Sequence, residues 1–242
     1  MKILFYINAI HHGGAERVMV NLATALSECG HDCILVTSIT ESWEYKVGAN
    51  VKRISLYAQN MPHSFIVRNI NTTLKLRKVV REEKPDIVIS FMAEPNFRAI
   101  IATLGTKSKS LVSVRNDPKK EYPTLLFEVA AKMLYPFADG VVFQTVEAKE
   151  WFPKRIQKKS RIIFNQVDAI FFDTKLKKNR KGIVTTGRLV PQKNHELLIR
   201  AFAKISNNIE KISPSSGLFR SQNVIYPCLY DNTVKFFETQ QI

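Results

Sequence analysis

The 242-residue sequence is short of several things, and each shortage narrows what it can be. It has no apolar run near the ~18–20 residues that a membrane-spanning helix needs, and Met1-Lys2 leads straight into a short strand rather than a leader core. The expectation is a chain that stays in the cytoplasm. Cysteine is scarce: Cys29, Cys33 and Cys228 are too few and too irregular for a disulfide framework, and no histidines stand at zinc spacing near them. They read as buried free thiols, with no metal. Nucleophile motifs are missing as well, since there is no GxSxG elbow, no HExxH and no Walker lysine after a glycine loop. The common hydrolase and kinase readings fall away. Acidic residues are the last shortage: 21 Asp and Glu face 36 Lys and Arg, for a net charge of +15. Such a surface attracts anionic lipid, nucleic acid or phosphorylated small molecules. Aromatics do not interleave with the basic clusters, which argues against nucleic acid as the partner.

What is present is an alternation of short apolar runs and amphipathic stretches. KILFYIN is an uninterrupted apolar run of the kind buried on both faces in a parallel sheet. After the turn HHGGAER, residues Val18, Leu22, Ala25, Leu26 and Cys29 recur at helical spacing, and Gly30 supplies a stop before CILVTS. The pattern continues with a strand KRISLY, a long basic helix from about Ser64 to Glu83, and a strand DIVISF after Pro85. It then predicts a helix NFRAIIATLG, a strand LVSV, a helix from about Tyr122 to Phe137, a strand GVVFQ, a short helix from Glu147 to Phe152, and a strand RIIFN. The fold class is therefore α/β, a Rossmann-like, mostly parallel sheet with helices on both faces. It is assigned to residues 1–172.

Residues 173–181, DTKLKKNRK, read as a basic linker. Residues 182–211 open a second domain with a strand, the loop TGRLVPQKN and a helix with apolar residues at Leu197, Leu198, Ala201, Phe202 and Ile205. Residues 212–242 form an irregular tail with at best one short strand around NVIY, so this second domain is expected to be incomplete. A doubly wound domain needs about a hundred residues or more.

Ligands of open parallel sheets sit at the carboxyl ends of the strands, so the turns that follow strands are the candidate sites. Gly13 and Gly14 let the backbone approach a ligand beside a helix start, and Arg17 stands on the first turn of that helix where the dipole gives a cation no advantage. Arg115 and Asn116 follow LVSV, a charged fork and an amide able to hold hydroxyl, carboxylate or phosphate. Arg188 and Lys193 flank a helix start near Asn194, an arrangement suited to a diphosphate. Glu94, Asn96, Gln144 and Thr145, at other strand ends, read as ordinary polar loop residues.

Taken in order, GGAERV, RND, FQTVEAKEWFP, RIIFNQVD and GRLVPQKNHELLIRAF resemble the family 4 glycosyltransferases, over about residues 1–210. The resemblance implies the GT-B architecture of two Rossmann-like domains, residues 1–172 corresponding to the N-terminal, acceptor-side domain. It looks most like the bacterial members that build surface polysaccharides. It further implies a retaining, hexosyltransferase-like transfer from a nucleotide diphosphate sugar to a lipid-linked or saccharide acceptor, with no cofactor and no obligatory metal. By position, Gly13 and Gly14 would lie near the donor phosphates, Arg188 and Lys193 would neutralise the diphosphate leaving group, and Arg17, Arg115 and Asn116 would line the acceptor side.

The family's second domain also carries a GxGP-like turn and two glutamates separated by seven residues. Neither is found after Ile209, and Glu238 is the only glutamate beyond Glu210. The expectation is a truncated transferase. The alternative is a non-catalytic module that binds the acceptor or an anionic membrane. Arg68, Lys75, Arg77, Lys78 and Arg81, set among apolar positions of the long basic helix, suggest peripheral attachment to the inner face of the cell membrane.

Overall fold

The computed structural model describes residues 1–11, 13–57, 64–165, 193–206, 219–221 and 224–226. The chain divides into two compact units, Met1–Val167 and Asp168–Ile242. The expected linker and the strand that would open the second domain lie outside the described residues, as does Cys228.

The first unit runs β1 (Lys2–Ile7), α1 (Gly14–Glu28), β2 (Asp32–Ile39), β3 (Lys52–Tyr57), α2 (Phe65–Glu83), β4 (Ile87–Phe91) and α3 (Ala93–Thr103). It continues through β5 (Lys109–Ser113), α4 (Pro118–Glu121), α5 (Leu125–Leu134), a 3-10 turn at Tyr135–Phe137, β6 (Gly140–Phe143), α6 (Val146–Glu150), α7 (Lys154–Lys158) and β7 (Ser160–Ile162). All seven strands are parallel and stand in the order β3-β2-β1-β4-β5-β6-β7. The order reverses at β1 and β4, where helices leave for opposite faces and a crevice opens beyond the strand ends.

Side-chain alternation in β1 divides the core. Ile3, Phe5 and Ile7 pack with Met19, Val20 and Ala23 of α1, while Leu4 and Tyr6 face Leu76 and Val80 of α2 and Ala99 and Ala102 of α3. Burying a side chain such as Phe5 contributes about 1.5–3 kcal/mol, which fixes the register, because a slip of one residue would exchange the two faces. A third cluster joins α5, α6 and α7 to β5 and β6 through Tyr135, Phe143 and Phe152.

Helix ends follow their sequence signals closely. Gly30, at φ +84°, ends α1 with bonds from His31 N–H to the Leu26 carbonyl and from Gly30 N–H to that of Ser27, the paired closure for which glycine is favoured. Cys29, just before it, is exposed, whereas Cys33 is buried in β2, so burial holds for only one of these two thiols. The expected helix from Tyr122 to Phe137 is shorter than that: α5 starts at Leu125 and gives way to the 3-10 turn at Tyr135, and a separate short helix, α4, precedes it. Asp117 caps α4 by accepting from Lys119 N–H, Thr124 caps α5 by accepting from Phe127 N–H, and each cap restarts the backbone.

In the second unit, α8 (His195–Ser206) is capped by Asn194, whose Oδ1 accepts from Leu197 N–H at 3.3 Å. Leu197 on this helix is 61% exposed. Beyond residue 212 the described residues form two strands rather than one, β8 (Phe219–Ser221) and β9 (Val224–Tyr226), paired antiparallel.

Candidate functional site

The polar groups of the first unit gather at the carboxyl edge of its sheet. After β1 the chain passes through Asn8, Ala9 and Ile10 to the two glycines. This segment is strapped down by bonds from Ile39 N–H to the Asn8 carbonyl and from Tyr45 N–H to the Ile10 carbonyl. Gly13 is the N-cap of α1 in an extended conformation, and the Glu16 carboxylate folds back so closely that a Cβ on Gly13 would stand 1.7 Å from it. Gly14 has nothing within 4 Å of where its Cβ would be. The turn is thus open at Gly14 and covered at Gly13. Arg17 is exposed on α1.

Beside this turn lies a buried network that sequence reasoning missed. Arg98, on α3 and only 3% exposed, donates to Asn8 Oδ1 at 2.6 Å, to Asn69 Oδ1 of α2 at 2.7 Å and to Glu94 Oε2 at 2.5 Å. Ser38 Oγ donates to the same Asn8 oxygen, and Tyr6 Oη lies 2.9 Å from Ser38 Oγ. Glu94 is therefore the counter-ion of a buried arginine rather than an ordinary loop residue. Met92, between β4 and α3, sits at φ +76° and ψ 158°, a region that costs a non-glycine residue about 1–3 kcal/mol. The strain falls where the strand order reverses.

The turn after β5 is built differently. The Arg115 guanidinium lies 4.5 Å from the ring centroid of Phe91 and donates to Asn165 Oδ1 at 2.6 Å. Gln144 meets Asn165 and, with its nitrogen donating to the Arg115 carbonyl at 2.9 Å, sets its own oxygen 3.2 Å from the guanidinium. Gln144 thus joins the arginine site, against the expectation of an ordinary loop residue. Asn96 departs from that expectation too: it is wholly buried, accepting from Ser90 Oγ and donating to the Ser113 carbonyl and Tyr135 Oη. Asn116 is exposed, and its side-chain oxygen accepts from Asp117 N–H, a local turn bond.

Glu121 holds the Arg115 loop. Its Oε2 accepts from the backbone N–H groups of Arg115 and Asn116 at 3.0 and 2.9 Å. Burial raises its carboxyl from an ordinary 4.5 to about 7, against the pull of those two bonds and of the Arg115 charge. Burial also lowers Arg115, while Glu121 raises it, and an arginine still stays charged. Among the described residues, Ser113 Oγ, Arg115 Nε and Glu121 Oε1 are buried with no hydrogen-bond partner. Native structures leave few such groups, so the two at one strand end, Ser113 Oγ and Arg115 Nε, call for an explanation.

The structure brings Arg115 and the glycine turn into relation through Phe91. That ring belongs to the apolar cluster that also contains Ile7, Ile10 and Met19, on the α1 side of the sheet. Lys193 is exposed just before α8 in the second unit, and Arg188 lies outside the described residues. Sequence spacing could have flagged Arg98, which is four residues after Glu94 on one helix. No local signal joins Arg115 to Asn165.

A parallel sheet whose strand order reverses beside a glycine turn, with a held cation at a neighbouring strand end, defines a doubly wound α/β protein. The chain belongs to Glycosyltransferase Family 4, whose profile it matches over residues 12–170. Among curated relatives it is 29% identical over 216 residues to a Campylobacter jejuni "GalNAc-alpha-(1->4)-GalNAc-alpha-(1->3)-diNAcBac-PP-undecaprenol alpha-1,4-N-acetyl-D-galactosaminyltransferase", covering 87% of this chain and 59% of that protein. A second C. jejuni transferase, named for an N,N'-diacetylbacillosaminyl-diphospho-undecaprenol acceptor, is 25% identical over 91% of this chain and 64% of its own length. The chain thus spans about three-fifths of the length of these relatives. Its fold is shared with a sucrose-phosphate synthase from Thermosynechococcus elongatus, at TM-score 0.66 and 12% identity over 85% of this chain and 60% of that one. It is also shared with Anabaena HepE in complex with UDP and glucose, at TM-score 0.54 and 15% identity over 72% and 47%.

Proposed function

We propose that the chain takes part in retaining transfer of a sugar from a nucleotide diphosphate sugar to a hydroxyl of a lipid-linked or saccharide acceptor, at the cytoplasmic face of the membrane. The bond from the anomeric carbon to the diphosphate breaks, one to the acceptor oxygen forms, the acceptor proton leaves, and the nucleoside diphosphate departs. No metal or cofactor is assigned a role. Support comes chiefly from the end of β5, where two unpartnered polar atoms, Ser113 Oγ and Arg115 Nε, stand together. A polar ligand would satisfy them. The two C. jejuni relatives carry diphospho-undecaprenol acceptors in their names, which agrees with a lipid-linked one.

In this reading Gly13 and Gly14 face the donor phosphates, Arg17, Arg115 and Asn116 face the acceptor, and Gln144 and Asn165 aim the Arg115 fork. Arg188 and Lys193 stabilise charge on the departing diphosphate, a role whose loss typically costs about 10²–10³ in rate. The test offers the purified protein a panel of nucleotide sugars and a polyprenyl-diphosphate saccharide, and follows nucleoside diphosphate release and the anomeric configuration of the product. Retention is expected, with Lys193→Ala lowering kcat and Arg115→Lys raising the acceptor KM alone. Inversion at the anomeric carbon would overturn the mechanism. A second reading is acceptor binding without transfer. It predicts saturable acceptor binding with no nucleoside diphosphate released.

A further inference from the structure

Behind the Arg115 loop runs a chain of buried hydrogen bonds whose direction follows from its fixed end. Asn96 Nδ2 donates to the Ser113 carbonyl at 2.9 Å, and a carbonyl can only accept, so the amide has one possible orientation. Its Oδ1 accepts from Ser90 Oγ, and the second Nδ2 proton goes to Tyr135 Oη at 2.8 Å. Tyr135 Oη stands 2.6 Å from Tyr122 Oη. Among the described residues Tyr122 Oη is the acceptor open to the Tyr135 proton. The Tyr122 proton is then left for the Glu121 carboxyl, which it acidifies. From the other side, the N–H groups of Arg115 and Asn116 donate to Glu121 Oε2.

The bonds from Asn96 and from the loop thus converge on Glu121. The chain leaves β5 at Ser113 and returns at Arg115, so Glu121 closes a ring of bonds around one strand end. A carboxylate has acceptor capacity for all three donors. A carboxylic acid brings one more proton among groups that are already donating, and that proton has no acceptor unless one of the three withdraws. Charge argues the same way. The Arg115 guanidinium is surrounded by neutral groups, the Phe91 ring, Gln144 and Asn165, and Glu121 is the anion whose field supports it.

The titratable groups that face Glu121 are Arg115 from the β5 turn, Tyr122 at the end of α4 and Tyr135 from the 3-10 turn. On α4 itself Lys119 and Lys120 are exposed, as is the capping Asp117. Arginine keeps its proton and burial raises both tyrosines, so near neutrality Glu121 is the member of this group that changes charge.

We infer that Glu121 is a positioning residue for Arg115: its carboxylate draws the two loop amides inward and thereby sets the place and direction of the guanidinium. What this means for the acceptor rests on the proposed function, which puts Arg115 there. Burial brings the Glu121 carboxyl to about 7, so the loop is held fully above neutrality and slackens as pH falls below it. Acceptor affinity therefore rises with pH.

The first arm of the test needs no substrate. In nitrogen-15 spectra of the purified 242-residue protein, the amide protons of Arg115 and Asn116 should move downfield together as pH rises, with a midpoint of about 7, because bonds to an ionised acceptor are the shorter ones. Glu121→Gln should abolish this titration. Tyr122→Phe takes one donor from the carboxylate and should move the midpoint upward. The second arm measures binding of a polyprenyl-diphosphate saccharide with no nucleotide sugar present. Its dissociation constant should fall about tenfold from about pH 6 to about pH 8, as the competent fraction rises by that factor, and should be flat in Glu121→Gln.

Amide shifts that do not titrate, or that titrate unchanged in Glu121→Gln, overturn the inference whatever the acceptor does. Should Glu121→Gln fail to fold by circular dichroism, Tyr122→Phe decides, and a midpoint left in place overturns it. Shifts that follow Glu121 while acceptor affinity ignores pH leave the positioning standing and remove the acceptor from Arg115, a loss to the proposed function alone.

Discussion

The turns after β1 and β5 occupy the same edge of one sheet and are held in opposite ways. The first is made of backbone: Gly14 is bare, and rigidity comes from Arg98, which sits behind the turn and holds Asn8. The second is made of side chains: Arg115 projects its charge, and Glu121 behind it holds the loop by its amides. In both cases a buried ion stabilises a polar loop from the side away from solvent. The difference lies in that ion's titration. Arginine keeps its charge at any accessible pH, whereas burial leaves the Glu121 carboxyl half-ionised near neutrality.

The largest expected effect is on the first turn. Arg98→Leu removes a buried cation and strands Glu94, Asn69 and Asn8, at a cost of about 3–5 kcal/mol. Urea denaturation followed by circular dichroism measures it, and a loss under about 1 kcal/mol would show that Arg98 is not what holds the turn. The second turn should answer to pH instead. A carboxyl whose folded value is raised stabilises the protein below its unfolded value and loses that contribution as pH rises through the folded one. Between pH 4.5 and about 7 stability should fall by on the order of 3 kcal/mol, and Glu121→Gln should flatten that slope. Glu83, lowered by its bonds from Lys2 and Lys52, acts in the acid range below 4.5, where stability is lost as pH falls, so the two windows do not overlap. Denaturation midpoints of both proteins across the range decide the matter. The smallest effect carries the sharpest contrast. Gly14→Ala meets no neighbour and should raise stability by about 0.4–1 kcal/mol, yet weaken nucleotide-sugar binding in a titration. An alanine that stabilises and binds as before would return this glycine to a plain turn.

How much of this could be read from the chain depended on the range of each interaction. The β1 run, the Gly30 stop and the span of α2 rest on neighbours a few residues apart, and the sequence pattern located them to within a residue or two. The short α4 and the late start of α5 were missed because Asp117 and Thr124 are caps only once the backbone has turned, whereas the apolar spacing already begins at Tyr122. The glycines and Arg115 stood out as residue types that strand ends use. Their partners did not: Asn165 is 50 residues from Arg115, and Asn8 is 90 from Arg98. Asn96 and Gln144 looked alike in sequence, polar residues after strands, and only packing separated a core amide from a site amide.

The grip of Arg98 has a mechanical corollary. One planar guanidinium is fastened at once to Asn69 on α2, to Asn8 at the root of the glycine turn and to Glu94 on its own helix. A lever pinned at three points cannot swing at one without dragging the others, so any tilt of α2 against the strands is delivered to the foot of that turn.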